Sequence, residues 1–351
     1  ICVENWGSDG TITYEQARAV TSLNGKFKNN TLIKKFNELV YFENLTELSN
    51  TSQGADFQGC TSLEEIDLSN IQILRERVFQ YCSSLKKVGS LENLTHLGLY
   101  DLSEKPNLEI DVYLPNLKNE LEYPGTLFNN SGIKSFYAPL ITELSKESFY
   151  SCPNLTRVIA PNVVKMIPER TAQDCPNLRE FIVSENLTNI PVSCFQRDVN
   201  LIVEDINYAE LTSFGRYAYD KVQVKKISNL GKVKSLPNGD TIKGTTNYGD
   251  ISILESVVLP EGITEIPRQS FYYYSALKHV TIPSTVTSIK DTAFGYTTAL
   301  PYLVFPQTTP PSIMSNTFTG TSYPIYVPDE YVEAYKTASN WSAIATRIKP
   351  M

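Results

Sequence analysis

FYSCPNLTRVIAPNVVKMIPERT, residues 149–171, is one unit of a repeat. With Phe149 as origin, apolar residues follow at Leu155, Val158, Ala160, Val164 and Ile167, and the next unit opens at Ala172, 23 residues on. The same offsets from Ala172 give Leu178, Phe181, Val183, Leu187 and Ile190 before Phe195 opens the next unit. From Phe271 they give Leu277, Val280, Ile282, Val286 and Ile289, and then Phe294. Upstream, Phe57, Leu63, Ile66 and Leu68 lead after 22 residues to Phe79, Leu85 and Val88. A 21-residue unit runs from Phe128 through Phe136 and Pro139 to Phe149. The Leu-x-x-Val-x-Ile run alternates as a half-buried strand does. It is stopped by Pro161, Pro260, Pro283 and Pro306, which have no N–H to give a ladder.

One such unit cannot bury its own apolar face, so the units must stack. A period of 20 to 29 residues with Leu-x-x-Leu-x-Leu in each copy is the pattern of leucine-rich repeats. The predicted fold is a mostly β, right-handed solenoid of the α/β class, with roughly 12 turns. A parallel sheet lies on one face, irregular turns on the other, and short helical caps at both ends. Residues 1–40 are expected to form the N-terminal cap, 41–327 the repeats and 328–351 the C-terminal cap. Thr13 is placed to cap a helix running to Leu23. Pro328 and the acidic residues after it open a second helix, to Ser339. The spacing breaks near 101–126 and 200–256, the latter containing PNGDTIKG from Pro237, and both segments read as irregular turns or insertions.

Hydrophobic residues make up 41% of the 351, enough for a continuous core, which argues against disorder. The net charge of -7 and the lack of a basic run leave no stripe to neutralise phosphates, so nucleic acid is set aside as a partner. No apolar run approaches the roughly 18 residues of a membrane-spanning helix. Ile1 to Gly10 has neither a basic nor an apolar leader segment, as in a chain whose export signal has been removed.

FQGCTSLEEIDLS, FYSCPNLTRVIAP and LPEGITEIPRQSFYYYSALKHVTIPSTVTSIKDTAF resemble the BspA-type leucine-rich repeats of bacterial surface proteins, a likeness carried by residues 41–327. The C-terminal IYVPDEYVEAYKTASNWSAIATRIKPM is similar to the closing segment of such proteins. The resemblance implies an exported chain at the outer surface, often lipid-anchored, that binds host proteins or other cells without catalysis, cofactor or fixed site residues. The opening ENWGSDGTITYEQARAVTSL is similar to segments in which an EF-hand-like loop precedes the helix. With Gly10 at the sixth loop position, however, Gly7 falls at the third and Gln16 at the twelfth, so two oxygen ligands are lost and no metal is expected.

Cys60, Cys82, Cys152 and Cys175 each lie three residues after a unit origin, a slot held elsewhere by Ser131, Asp198, Tyr274 and Thr297. Small buried side chains stacked turn on turn are expected there, not a metal ladder. Pairing between adjacent turns is geometrically open. Cys2 and Cys194 lie off the slot. The two histidines, His96 and His279, sit in different turns and do not supply a nucleophile–base pair. Glu64 and Glu65 are adjacent on one strand and point to opposite faces, unlike a glycosidase dyad. The Asn-Leu-Thr triplets at Asn44, Asn93, Asn154 and Asn186 read as repeat grammar, since Leu155 is a core position.

Offsets 9 and 11 of each unit point inward, so offsets 8 and 10 face out along the sheet. Offset 8 reads Glu65, Lys87, Arg157, Glu180, His279 and Tyr302, and offset 10 includes Asp67, Ile159, Ile182 and Thr281. Charges beside exposed aliphatics suit a host or community protein or glycan, bound by a monomer at the cell surface. Tyr272, Tyr273 and Tyr274 add aromatic surface on a turn. The alternatives are a glycan-capturing or glycan-processing surface protein and a structural spacer. Membrane contact would come only through a lipid anchor.

Overall fold

In the computed structural model, which describes residues 1–51, 54–118, 126–166, 169–237 and 253–351, each repeat is one turn of a parallel-strand β-solenoid, about 12 turns in all. The chain forms two compact units, Ile1–Ser184 and Glu185–Met351.

Each turn has three stacked features, and the turn at Phe149 shows all of them. The strand Arg157–Ile159 pairs in parallel with Ser135–Tyr137 on one side and Glu180–Ile182 on the other, with Val158 opposite Phe136 and Phe181. A second short strand, Lys165–Met166, pairs with Glu143–Leu144 of the turn before. The corner around Phe149 forms the third ladder: Glu147, Phe149 and Ser151 donate their N–H groups to Glu169, Thr171 and Gln173 of the following turn, at 3.2, 2.8 and 2.9 Å. Two residues of this corner, Glu147 and Ser151, have left-handed φ of 51° and 55°. The pattern returns at Arg170 and Asp174, Ser193 and Arg197, Gln269 and Tyr273, and Thr292 and Tyr296, two residues before and after each origin. A left-handed non-glycine costs on the order of 1 kcal/mol, which the corner offsets by satisfying its N–H groups. The turns opposite the strands are thus regular, with a hydrogen-bonded ladder of their own.

The interior fills from the offsets that the repeat marks. Phe149, Cys152, Leu155, Val158 and Ala160 are buried, and aromatic rings stack from turn to turn. Phe57 lies on Phe79 at 5.6 Å and Phe128 on Phe149 at 6.0 Å. In the second unit Phe271, Phe294 and Phe318 stack at 5.1 and 5.7 Å. One offset is corrected: the core residues after Ala160 are Val163 and Met166, whereas Val164 is half-buried. With Pro161-Asn162-Val163 where the turn at Phe271 carries Pro283-Ser284-Thr285-Val286, this turn reaches its second strand one residue early. Ile167 lies outside the described residues.

The described parts of the two segments read as irregular carry parallel strands, one pairing with a register shift between Ile206 and Asn207. Asp111–Tyr113 pairs with Ser135–Tyr137. Between residues 200 and 256, Ile202–Val203 pairs with Gln223–Val224, and Lys226–Asn229 pairs with both Ile206–Asn207 and Ser256–Val258. Spacing varies in the connections of these segments, while pairing is set by the strands. Of PNGDTIKG, the residues after Pro237 lie outside the described residues.

Thr13 caps a helix as expected, but the helix is short, Tyr14–Ala19. It ends where β-branched Val20 turns extended, with φ -72° and ψ 127°. A further helix, Cys2–Trp6, precedes it, and Trp6 packs on Phe27 and Phe42. At the other end a 3-10 turn, Asp329–Tyr331, leads into the helix Val332–Thr337. The closing segment is not wholly helical: Ile348–Pro350 adds a strand to Ile325–Val327, with Ile348 beside Ile325. Buried Trp341 covers Phe305 and Phe318 and donates Nε1–H to the Pro311 carbonyl at 2.7 Å.

Candidate functional site

In the first unit the parallel register aligns two outward columns on adjacent strands. One column is Asp111, Ser135, Arg157 and Glu180, and the other is Tyr113, Tyr137, Ile159 and Ile182. The first column is internally satisfied: Ser135 Oγ donates to Asp111 at 2.5 Å, and Arg157 forms an ion pair with Glu180. The second has no such neutralising chemistry. Its tyrosine rings stack at 5.1 Å and 17°, and its two ends are open, Tyr113 at 48% and Ile182 at 37% exposure. Ile159 and Tyr137 are half-buried between them. The result is an aromatic and aliphatic strip flanked by self-paired charges.

The structure therefore brings Arg157, Ile159, Glu180 and Ile182 together. Tyr113 and Tyr137 complete the strip and were not singled out from the sequence. Tyr113 lies in the segment where the unit spacing breaks, and its only signal was the Val112 and Leu114 alternation around it. The main chains of Glu65 and Lys87 pair in parallel on neighbouring turns. Lys35 donates to Glu65 at 2.8 Å, and its ammonium holds the Glu65 carboxyl below the usual carboxylate range. Asp67 turns back on its own chain, accepting from the Ser69 amide at 2.9 Å, which makes it a turn-former. In the second unit His279 and Thr281 are exposed on the strand His279–Thr281, beside Ser256 and Val258. Tyr302 is exposed and meets Tyr326 edge-on at 5.7 Å.

The remaining candidates have structural partners. Cys60, Cys82, Cys152 and Cys175 are buried, and each Sγ donates to the main-chain oxygen of the aromatic origin one turn earlier: Phe27, Phe57, Phe128 and Phe149, at 2.9 to 3.0 Å. None of the six cysteines is in a disulfide. His96 and His279 fall in different units. Glu64 pairs with Lys86 at 3.0 Å, so neither carboxylate of the Glu64/Glu65 pair is idle. The Asn-Leu-Thr triplets at Asn93 and Asn154 serve the stack. Asn93 Nδ2 reaches the Ser69 carbonyl at 2.6 Å and Thr95 Oγ1 that of Gln72 at 3.1 Å, while Asn154 and Thr156 reach Gly132 and Lys134. At the N-terminus Gln16 closes a capping box, its Oε1 accepting from Thr13 N at 2.8 Å. Ser8 and Thr11 pair across the Asp9-Gly10 turn. Among the described residues no group of three or more His, Cys, Asp or Glu side chains is placed to hold a metal.

The family model for the BspA type leucine rich repeat region matches this sequence in six copies, over residues 24–134, 122–247 and 209–325. Similar solved structures include a leucine-rich repeat protein from Bacteroides ovatus, at 16% identity and TM-score 0.42, covering 87% of this chain and 90% of that one. A leucine rich cell surface protein from Faecalibacterium prausnitzii is 18% identical with TM-score 0.37, covering 74% and 76%. The functional domain of InlJ from Listeria monocytogenes, described as including a cysteine ladder, is 14% identical with TM-score 0.31, covering 97% and 74%. No curated protein matches the sequence.

Proposed function

The chain belongs to the BspA-type leucine-rich repeat family, and from that premise we propose that it is an exported surface protein that binds a partner protein through the outward strand face of residues 1–184. The observation that carries this reading is the Tyr113–Tyr137–Ile159–Ile182 strip, aligned in register beside the Asp111–Ser135–Arg157–Glu180 column. Tyrosine gives rigid contact area with a polar tip, and binding energy concentrates in such residues at the centre of an interface. Charges around the strip set orientation and association rate more than affinity. Binding rather than turnover is the reading because the carboxylates of this face are engaged, Glu65 by Lys35 and Glu180 by Arg157.

A glycan partner is the second reading, favoured by one observation in the other unit. There Tyr273 and Tyr296 stack at 4.4 Å with Tyr272 edge-on to both, a surface suited to the apolar face of a sugar. An array of purified extracellular-matrix proteins and glycans, probed with wild type and with Tyr137→Asp/Ile159→Asp, separates the readings. Capture of a matrix protein that the double variant loses while its melting temperature holds supports the protein reading. Glycan capture untouched by the double variant and lost in Tyr273→Ala moves the site to the second unit. Hydrolysis of an arrayed glycan by the pure protein overturns the non-catalytic reading.

A further inference from the structure

Asp111 is exposed in the charged column, and among the described residues no ion pair reaches it. The charges around it are answered: Arg157 pairs with Glu180, and Glu109, two residues before Asp111, pairs with Lys134 at 3.3 Å. Lys87, in the turn before, pairs its main chain with Glu65 and is among the charges that lower the Glu65 carboxyl. Ser135 Oγ donates to Asp111 at 2.5 Å, which satisfies an oxygen and leaves the negative charge. Tyr113 lies on the same strand and points to the same side. That strand, Asp111–Tyr113, is the outer strand of its sheet and pairs on one side, with Ser135–Tyr137. One face of the Tyr113 ring therefore stacks on Tyr137, at 5.1 Å and 17°. The opposite face looks out from the end of the strip, with the residue 48% exposed.

We propose that the strip takes an extended segment of its partner protein, with a lysine or arginine at the Tyr113 end and apolar side chains two and four residues along. The cation lies over the outer face of Tyr113 and against Asp111. This rests on the strip being the contact surface, and adds the chemistry that the surface selects.

Charge complementarity sets the end residue. The negative face of a tyrosine ring attracts a cation within about 6 Å of its centroid, and the Asp111 carboxylate on the same side gives that cation a counter-charge. With a net charge of -7, the chain as a whole draws a basic partner. A second copy of the chain brings another Asp111 and only an Arg157 that Glu180 already holds, so it does not supply the missing cation. Width sets the conformation. The strip is one residue wide, and a helix, about 10 Å across, would also cover the column beside it and desolvate the Arg157–Glu180 pair. An extended chain running across the strands leaves that pair in water. From Tyr113 to Ile182 the strip spans three strand steps, about 14 Å at roughly 4.8 Å each. Alternate residues of an extended chain share a face, and residues four apart stand about 13 Å from each other. With the cation at Tyr113, the residue two along meets the seam of Tyr137 and Ile159, and the residue four along meets Ile182.

The test is fluorescence polarisation of labelled synthetic peptides against the full chain. One peptide carries arginine, serine, valine, serine and valine in that order between glycines. The control has citrulline for arginine, which keeps the shape and loses the charge. The arginine peptide is expected to bind about fivefold more tightly. Asp111→Asn, an exposed and isosteric change, removes the difference, and high salt reduces it. Tyr137→Asp/Ile159→Asp releases both peptides. Equal affinity for the two peptides, or an arginine preference that survives in Asp111→Asn, overturns the proposal and leaves the strip as the contact surface. So does failure of both peptides to bind while Tyr137→Asp/Ile159→Asp still loses the matrix protein captured on the array. A matrix protein held equally by wild type and the double variant overturns the contact surface itself, and the proposal with it. A dimer in sedimentation that the double variant dissociates gives the strip to a second copy and overturns the proposal as well.

Discussion

The thiol of Cys82 donates to the main-chain oxygen of Phe57, one turn earlier, at 3.0 Å. Cys60, Cys152 and Cys175 repeat the contact in their own turns, so cysteine here joins turns without a covalent link. Contact with the Cys60 thiol and burial both hold the Cys82 thiol well above its ordinary range, which leaves it a poor nucleophile. A thiol reagent is expected to label half-buried Cys2 in the folded chain and the other five cysteines only in denaturant. Cys152→Ser, which keeps the donor to Phe128, should cost little. Cys152→Ala should cost about 1 kcal/mol in a urea titration.

Glycine is required in one corner for space and in another for backbone freedom. A Cβ at Gly215 would lie 2.4 Å from the backbone of Pro191 and Val192 in the turn before. Gly215→Ala is therefore expected to cost roughly 1–3 kcal/mol through overpacking. Gly10, at φ +77° in open space, should lose only about 1 kcal/mol as alanine. Equal melting shifts for the two variants would contradict the close approach of adjacent turns.

The end of the second unit depends on one indole. Trp341 is buried against Phe305, Phe318 and Tyr335. Trp341→Ala should destabilise that unit by about 3–5 kcal/mol, read as earlier loss of far-ultraviolet circular dichroism in a urea titration. Trp341→Phe, which keeps the ring but not the bond to Pro311, should fall between.

Acid should loosen the exposed edge of the first strand ladder. Lys35 lowers the Glu65 carboxyl, so this pair adds stability above the ordinary carboxylate range and loses it as pH falls through the lowered folded value. The pair is exposed and its contribution small and screened by salt. Wild type should lose its stability advantage over Glu65→Gln on acidification, and also in high salt at neutral pH. An advantage unaffected by either would show that the contact is structural in another way.

The core was readable where the repeat keeps its spacing. Leu155, Val158 and Ala160 are buried because alternation and a proline stop mark the strand, and the cysteine slot was legible because small residues recur there. Val163 was mistaken for Val164 because two adjacent valines satisfy the pattern equally, and a one-residue shorter connection leaves no composition signal. The left-handed corners were illegible for a similar reason: Glu147, Arg170, Gln269 and Tyr296 adopt positive φ without the glycine that usually announces it. Tyr113 and Tyr137 escaped notice because a connection one residue longer before Tyr113 and one residue shorter before Tyr137 moved them off the grid while pairing kept them in register. Lys105 reads as a surface residue in any sequence pattern, and only its place in the stack shows it buried.

The central claim is that the Tyr113–Tyr137–Ile159–Ile182 strip is the contact surface. The direct measurement is surface-plasmon binding of the matrix protein captured on the array, comparing Tyr113→Ala/Tyr137→Ala with Tyr273→Ala at equal melting temperature. The account predicts at least a tenfold faster dissociation for the first variant, corresponding to about 1.4 kcal/mol, and wild-type kinetics for the second. Wild-type kinetics for the first variant would contradict it.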